Sequence, residues 1–283
     1  MQLTKGDEVL ITGSNGFIGS ALTKQLIKKG EYNIKTFDLN NGNVEDYDFS
    51  GFDVKHICHL AARTFIPQSW NEPYDYYKVN FMGTLNILEY CRKHGAGMTF
   101  LSTYMYGTPR YLPVDEKHPK EAHSVYNHTK LLAEEACEFY SLHFGVSVTI
   151  LRLFNVYGAG QQKDFLIPSI IQQALKGDYI EVMDTRPKRD FVYIDDVINA
   201  ICLCLGKEGF NVYNVGSGCS FSVLEIIKII CDVLGEEKKI IDKNQPRVNE
   251  IMDIIADTKK IRTELAWQPK ISFEEGIRKT LKI

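Results

Sequence analysis

The sequence lacks the features of a nucleic-acid-binding, membrane or exported protein. Its 33 Lys and Arg residues are balanced by 36 Asp and Glu residues, the net charge is −3, and no basic run stands out, which argues against a nucleic-acid partner. No stretch reaches the about 18 apolar residues of a membrane span, and no apolar leader opens the chain. We therefore expect a soluble, cytoplasmic protein whose partners are small molecules or copies of itself.

The cysteines form neither a disulfide framework nor a metal-binding pattern. Their number, seven, is odd, most lie in apolar stretches, and no CxxC pair occurs, as is typical of reduced, buried thiols in the cytoplasm. Cys202 and Cys204 lie within an apolar helical pattern without nearby histidines, so we predict no metal site. The 283 residues, 44% of them hydrophobic, suffice for one large domain or two that share an interface.

A glycine pattern near the start predicts a dinucleotide-binding turn. An apolar run ends at Thr12, helical sequence follows, and three glycines spaced G-x-x-G-x-x-G lie between them and at the helix start: Gly13, Gly16 and Gly19. A strand that turns into a helix needs one residue with free φ, and a pyrophosphate must approach backbone N–H groups with no Cβ in between. Gly13 and Gly16 meet these needs. Gly19 would let the helix Ser20–Lys29 pack closely on its strand.

An acidic residue about 20 positions further on supports the same cofactor. The predicted second strand, Asn33–Asp38, ends in Asp38, whose carboxylate can accept hydrogen bonds from the adenosine ribose hydroxyls. A 2′-phosphate would lie against this charge, so Asp38 favours NAD, as NADH, over NADPH. Alternatively, Asp38 is an ordinary turn acid before Asn40, Asn41 and Gly42.

Strand-like and helical segments alternate over the first half of the chain. The predicted strands are 8–12, 33–38, 54–60, 98–102 and 146–153, and the predicted helices are 20–29, 74–94 and 126–144. This alternation predicts an α/β fold, a doubly wound parallel sheet with helices on both faces. The ligand should then lie at the C-terminal ends of the strands, where Gly13, Asp38, Ala61 and Ser102 fall.

After residue 152 the pattern changes. Gly158 and Gly160 break the chain, 167–176 is a predicted helix, and Asp190–Ile194 is a predicted strand that returns to the sheet. We predict a dinucleotide-binding domain of residues 1–155 and 189–213 and a smaller lobe of residues 156–188 and 214–283. The basic residues Arg186, Lys188, Arg189 and Arg247 are either a cluster that holds a diphosphate or ordinary surface charge.

Tyr126 and Lys130 are candidate proton-transfer residues. A spacing of four places the phenol and the ammonium on one helix face, about 5–6 Å apart at Cβ. A neighbouring ammonium and an oxidised nicotinamide favour the phenolate, so Tyr126 could exchange a proton with a sugar hydroxyl or carbonyl near neutral pH. Tyr-x-x-x-Lys also occurs by chance in many helices. Ser102 ends the preceding strand, so its hydroxyl can reach the same reacting oxygen.

The order and spacing of these motifs resemble the extended short-chain dehydrogenase/reductases that act on nucleotide-activated sugars, the NAD-dependent epimerase/dehydratase family. The resemblance covers nearly the whole chain. It is carried by residues 12–19, 59–62, 80–84, 102–107, 126–130, 152–158, 189–196, 213–218 and 265–269. It implies a Rossmann-like domain, a smaller α/β C-terminal lobe that binds a nucleotide sugar, and a homodimer formed by the helices 74–94 and 126–144 of each subunit as a four-helix bundle.

The resemblance also implies roles for individual residues. Tyr126 would be the acid/base, Lys130 would bind the nicotinamide ribose and Ser102 would bond the reacting sugar oxygen. The implied cofactor contacts are Gly13, Asn15, Gly16, Phe17, Ile18, Gly19, Asp38, Asn43, Val44, Leu60, Ala61, Ala62, Asn80, Tyr126 and Lys130. The implied contacts to the sugar nucleotide are Thr103, Asn155, Gln161, Arg189 and Arg247. The acidic pair Asp195 and Asp196 is predicted to cap the helix Val197–Leu205 rather than to catalyse.

Departures from the family pattern narrow the reaction. The family's 4,6-dehydratases carry an Asp-Glu pair where this chain has Thr103 and Tyr104, which argues against water elimination and leaves 4-ketoreductases and 4-epimerases. Only three residues separate Asp38 from Gly42, where related enzymes usually have a longer segment around the adenosine. The adenosine half of the cofactor should therefore be loosely enclosed. This favours a reductase of 4-keto-6-deoxyhexose nucleotides, which must exchange its cofactor at every turnover. A 4-epimerase with tightly bound NAD is the alternative, and a non-catalytic cofactor-binding relative is a remote one.

Overall fold

The computed structural model describes residues 3–246 and 250–283. These residues group into two compact units. Unit 1 comprises the described parts of Met1–Gly107, Pro119–Leu153 and Ile198–Tyr213, and unit 2 those of Thr108–His118, Phe154–Val197 and Asn214–Ile283. Residues 108–118 and 189–197 thus group with unit 2, whereas the predicted boundaries place them in the first domain. The assignment of the two units to a cofactor and to a sugar nucleotide stays a prediction.

The strands and helices alternate along much of the chain. The strands are β1 Glu8–Thr12, β2 Asn33–Phe37, β3 His56–His59, β4 Gly97–Thr103, β5 Val148–Leu153, β6 Asn155–Tyr157, β7 Tyr179–Val182, β8 Lys188–Tyr193, β9 Phe210–Val215, β10 Ser220–Ser222 and β11 Lys239–Asp242. The helices are α1 Phe17–Lys29, α2 Ile66–Asn71, α3 Pro73–Tyr76, α4 Gly83–His94, α5 Val125–Phe144, α6 Leu166–Lys176, α7 Ile194–Cys204, α8 Val223–Leu234, α9 Lys259–Leu265 and α10 Phe273–Leu281. None of these helices is long and apolar enough to cross a membrane.

A six-stranded sheet with the order β2-β1-β3-β4-β5-β9 organises unit 1. The pairs β1–β2, β1–β3, β3–β4 and β4–β5 are all parallel. Every residue of β3 and β5 is buried, as expected where helices cover both faces of a parallel sheet. The parallel α/β prediction is therefore confirmed, and Thr12, His59 and Thr103 end their strands at the same edge.

Strand β2 is an edge strand of this sheet. The dinucleotide-binding order 3-2-1-4-5-6 places a further strand outside the second one, but no strand of the described residues pairs there. Residues 38–55 contain only the short 3-10 turn Phe49–Gly51 and pack instead through aromatic side chains. The ring centroids of Tyr47 and Phe49 lie 4.6 and 4.9 Å from that of Phe37. The short span from Asp38 to Gly42 therefore follows a strand whose outer edge is unpaired among the described residues.

The predicted helix 74–94 is one continuous helical stretch with an irregular middle. Helix α3 passes into a π-helical segment at Tyr77–Met82 and then into α4, and the residues at both junctions keep right-handed helical φ and ψ. The start of α4 packs closely against the Val44 side chain: a Cβ on Gly83 would lie 2.7 Å from Cγ1 of Val44. π-helical turns are rare in proteins, and those that occur are often found at functional sites. This one contains Asn80.

Strand β8 does not return to the six-stranded sheet, so that part of the prediction is wrong. It pairs in parallel with β6 and antiparallel with β10 in a separate sheet, and β9 takes the place beside β5. Asp190 contributes to this arrangement, because its buried carboxylate accepts hydrogen bonds from the backbone N–H groups of Ser217, Gly218 and Ala256 and from the Ser217 hydroxyl. These contacts fix β8 within unit 2, where β7 and β11 form a further two-stranded parallel sheet.

The acidic pair after β8 lies at the start of a helix, and the Asp196 carboxylate has a structural role outside that helix. Helix α7 begins at Ile194, and both Asp195 and Asp196 lie in its first turn. The Asp196 carboxylate accepts hydrogen bonds from the backbone N–H groups of Lys270 and Ile271, at 3.0 and 3.1 Å. The capping prediction is therefore wrong for Asp196: its carboxylate bonds the segment before α10 instead of the N-terminus of its own helix.

Candidate functional site

The turn between β1 and α1 has the shape of a phosphate cradle. Gly13 has a φ of +69°, and a Cβ there would lie 2.7 Å from the backbone nitrogen of Ala61. A Cβ on Gly19 would overlap the carbonyl oxygen of Gly13. Gly16 has an ordinary φ of −70° and is the N-cap of α1, with no side-chain cap. The backbone N–H groups that open the helix are thus accessible to an anion, which fits a dinucleotide pyrophosphate.

Asp38 lies directly after β2 and beside this turn. Its carboxylate accepts hydrogen bonds from the side chains of Ser14 and Asn15 and from the backbone N–H of Asn40. The contact to Asn40 is that of a turn acid, and the contacts to Ser14 and Asn15 connect the carboxylate to the glycine turn. A carboxylate has about four acceptor positions, so Asp38 keeps capacity for a ribose hydroxyl.

The residues predicted to meet adenine lie on irregular chain. Asn43 is exposed, whereas Val44 is buried in the hydrophobic core. The Val44 carbonyl accepts a hydrogen bond from the Asn86 side chain. The Val44 side chain is therefore part of the packing beneath the site, and its role toward adenine stays a prediction.

The chain after β3 is fixed from two sides. The Thr12 hydroxyl accepts hydrogen bonds from the backbone N–H groups of Leu60 and Ala61, both at 3.2 Å. Ala62 follows, partly buried. The Asn80 side chain is buried and bonds the N–H and carbonyl of Arg63 as well as the Thr129 hydroxyl. Asn80 therefore joins this loop to α5, a connection that the motif did not reveal.

Four predicted side chains come from β4 and α5. Ser102 and Thr103 are the last residues of β4, and Tyr126 and Lys130 lie in the first turns of α5. The helix is capped by Ser124, whose hydroxyl accepts from the Asn127 N–H.

The hydroxyl groups of this set differ in their partners. The Tyr126 hydroxyl is hydrogen-bonded to the Thr103 side chain. The Ser102 hydroxyl is buried and has no hydrogen-bond partner. Since buried polar groups are almost always paired, the free Ser102 hydroxyl fits a ligand oxygen.

Burial controls the protonation of Tyr126 and Lys130. It raises the pKa of Tyr126 to about 12, against the opposing effect of the Thr103 hydrogen bond. It lowers the pKa of Lys130 to about 7, and the Lys130 ammonium lies 4.0 Å from the centroid of the Phe100 ring. The titration of Tyr126 near neutral pH, which is expected from the ammonium together with an oxidised nicotinamide, stays a prediction. In the protein by itself, burial outweighs the neighbouring groups. Tyr126 by itself is a neutral phenol that can donate a proton.

The predicted sugar-nucleotide contacts of unit 2 are engaged within that unit. The Asn155 side chain donates to the carbonyl of Asp190 and that of Gln161 to the carbonyl of Val156. Arg247 lies outside the described residues.

The Arg189 guanidinium forms an ion pair with Glu250 and donates to the carbonyl of Ile251. Glu250 could not be recognised from the sequence because 61 positions separate it from Arg189. A diphosphate would have to share Arg189 with this carboxylate.

Comparisons with known proteins agree with this geometry. A model of the NAD dependent epimerase/dehydratase family matches residues 9–216. A putative UDP-glucose 4-epimerase of Methanocaldococcus jannaschii is 34% identical over 96% of this chain and 97% of its own. The GDP-6-deoxy-D-mannose reductase of Pseudomonas aeruginosa is 30% identical over 80% of this chain and 78% of its own. The crystal structure of Thermotoga maritima UDP-glucose 4-epimerase with UDP-glucose superimposes with a TM-score of 0.92, at 29% identity and 97% coverage of both chains.

Proposed function

Because this chain belongs to the NAD dependent epimerase/dehydratase family, we propose that it is a 4-ketoreductase of a nucleotide-linked 4-keto-6-deoxyhexose, of the dTDP type, with NADH as the reductant. The observation that carries the proposal is the pairing of a neutral phenol with a free hydroxyl at the end of β4. Tyr126 keeps its proton at neutral pH, and Ser102 has an unused, buried hydroxyl beside Thr103. Reduction of a ketone needs a proton donor in this state.

The residues of unit 1 divide the reaction between them. The cofactor, when bound, supplies the hydride that the C4 carbon receives. The Ser102 hydroxyl donates a hydrogen bond to the C4 oxygen and stabilises the charge that develops there. Tyr126 gives its proton to the same oxygen, which becomes a hydroxyl, and solvent later restores the phenol. The Lys130 ammonium stabilises the transient phenolate.

The open edge of β2 gives independent support. A reductase must exchange its oxidised cofactor at every turnover, and here no strand of the described chain covers β2 on the adenosine side. Asp38, which would hold the ribose, is itself only half-buried. Loose enclosure of the adenosine half favours exchange.

A 4-epimerase is the second candidate, favoured by the similarity to epimerases along nearly the whole chain. That reaction begins with proton removal from a sugar hydroxyl, so Tyr126 would have to start as a phenolate. We propose that a 4,6-dehydratase is excluded, because Thr103 and Tyr104 stand where an acid and a base would be needed. Asn155, Gln161 and Arg189 remain the proposed contacts to the sugar nucleotide.

Two measurements on the purified protein test the proposal. The nucleotides released on denaturation are weighed by mass spectrometry, and NADH oxidation is followed with a dTDP-4-keto-6-deoxyhexose. We expect no stoichiometric NAD and steady NADH consumption. Bound NAD, together with interconversion of UDP- or dTDP-hexoses without added cofactor, would establish the epimerase instead. Release of water from a dTDP-hexose would contradict the exclusion of dehydration.

We also propose a homodimer in the cytoplasm. Phe139 and Leu142 on α5 are 53% and 69% exposed, and pairing of helices from two subunits would cover them. The cysteines are free thiols, as in a reducing compartment. Light scattering should give twice the mass of the chain, and Leu142→Glu should give the monomer. A monomeric wild type would contradict the dimer.

A further inference from the structure

A buried ion pair lies just beyond the proposed proton-transfer pair. Glu134 on α5 and Arg152 on β5 are 2% and 4% exposed. The Arg152 guanidinium donates from Nε and Nη2 to both carboxylate oxygens of Glu134, at 2.7 to 3.2 Å, and from Nη1 to the Tyr106 hydroxyl at 3.2 Å. Lys120 Nζ lies 3.7 Å from the same carboxylate. A buried pair of this kind costs desolvation free energy, so its retention calls for a reason.

Glu134 shares a helix face with Lys130. Residues four apart on a helix are neighbours, and the interval from Lys130 to Glu134 repeats that from Tyr126 to Lys130. Lys130 and Glu134 are both buried. The carboxylate is therefore the next group along the face on which the ammonium lies.

The other groups around Lys130 do not supply a negative charge. Phe100 of β4 lies against the ammonium. His59 of β3 stacks on Phe100 and is neutral, because burial lowers its pKa to about 3. Cys137 on α5 is a neutral thiol, because burial raises its pKa well above the ordinary value. Tyr126 is a neutral phenol. The Cys137 sulfur and the Glu134 carboxylate are the groups that oppose the effect of burial on Lys130, in that order. Of the two, only Glu134, which is ion-paired with Arg152, brings a negative charge.

We propose that Glu134, held between Arg152 and Lys120, is a positioning residue that keeps the buried Lys130 charged for its action on Tyr126. The inference rests on the proposed function for the role of Tyr126 and Lys130. Without the carboxylate, burial would remove the Lys130 proton at a lower pH, and a neutral amine cannot stabilise a phenolate. Arg152 and Lys120 fix the carboxylate in place.

The titration of Lys130 tests this directly on the protein alone. Lysine labelled with ¹³C at Cε is followed by NMR as the pH is raised, and the Lys130 signal is assigned by its loss in Lys130→Met. We expect Glu134→Gln to lower the Lys130 midpoint by about one pH unit, the size of effect of an opposite charge a few ångströms away. Glu134→Asp should largely restore the midpoint. Glu135→Gln, an exposed change on the same helix, should leave it unchanged.

A double variant covers the case in which Glu134→Gln unfolds the protein because the buried Arg152 loses its carboxylate partner. Glu134→Gln with Arg152→Met removes both charges, and its Lys130 midpoint should lie between those of the wild type and the single variant. An unchanged midpoint in a folded single or double variant would overturn the inference. Because no substrate is used, failure of the ketoreductase assay leaves this result intact. Where the enzyme does turn over, the alkaline limb of kcat should shift to lower pH in Glu134→Gln.

Discussion

The Tyr126 hydroxyl is the single group on which the proposed chemistry depends. It is bonded to Thr103 and stays protonated at neutral pH, while Ser102, the residue before Thr103, has a buried hydroxyl without a partner. The sequence predicts which side chains meet here, because helix spacing and strand ends follow from local pattern. It does not predict their protonation, which depends on how deeply β4 and α5 bury them.

Tyr126→Phe should therefore remove the proton donor without disturbing the fold. We expect kcat for the ketosugar to fall by about 10²–10⁴-fold, the contribution of a positioned acid, and the NADH affinity to change much less than kcat. Tyr140→Phe, on the same helix but bonded to Glu89, is the matched control and should retain activity. The measurement is steady-state NADH oxidation beside a fluorescence titration of NADH. Equal kcat in Tyr126→Phe and wild type would refute the mechanism.

Lys130 should also leave a signature in the pH dependence of stability. Burial lowers its pKa to about 7 in the folded chain, whereas an unfolded lysine titrates near about 10.4. Between these values the unfolded chain binds more protons, so the Lys130 contribution to the free energy of unfolding rises with pH, by at most about 1.4 kcal/mol per unit.

This contribution is measured by urea unfolding of wild type and Lys130→Met at several pH values between about 7 and about 10. The wild type should gain stability relative to the variant as the pH rises. Lys24→Met, an exposed change on α1, should follow the wild type. A constant difference between wild type and Lys130→Met would mean that Lys130 keeps its proton in the folded chain.

At the scale of elements, the local sequence pattern predicts the bounds of strands and helices whose contacts are local. Strand β1 begins and ends as predicted, and α5 begins one residue earlier than predicted. The π-helical segment Tyr77–Met82 was not predicted, because the apolar pattern indicates a helix but not its hydrogen-bond spacing. The sheet to which β8 belongs cannot be predicted from local pattern, since Asp190 bonds residues distant in sequence.

The β1–α1 turn supplies a prediction at this scale. Gly19→Ala places a methyl group on the Gly13 carbonyl, so either the helix or the turn must move. We expect a destabilisation of about 1–3 kcal/mol, typical of overpacking, and a loss of NADH affinity of at least about tenfold. Gly51→Ala is the control, because a Cβ there meets no atom within 4 Å. Thermal unfolding and an NADH titration measure the two effects, and Gly19→Ala behaviour equal to Gly51→Ala would contradict the close packing.

At the scale of the whole molecule, acid stability should depend on two buried histidines of β3. His56 bonds the Thr99 hydroxyl, and His59 bonds the hydroxyls of Thr12 and Thr84. Burial lowers the pKa of His56 to about 4 and that of His59 to about 3. Both side chains are therefore neutral in the folded sheet, whereas they take up protons in the unfolded chain once the pH falls below about 6.5.

Because the unfolded chain binds more protons below that pH, the free energy of unfolding should decrease from about pH 6.5 toward pH 4, by up to about 1.4 kcal/mol per unit for each histidine. His56→Gln can keep a hydrogen bond to Thr99 but cannot titrate, so it should flatten this decrease by one group's share. His143→Gln, an exposed change near the end of α5, should not. Urea unfolding at a series of pH values down to 4 distinguishes the variants. A decrease equally steep in His56→Gln and wild type would mean that other groups control acid unfolding.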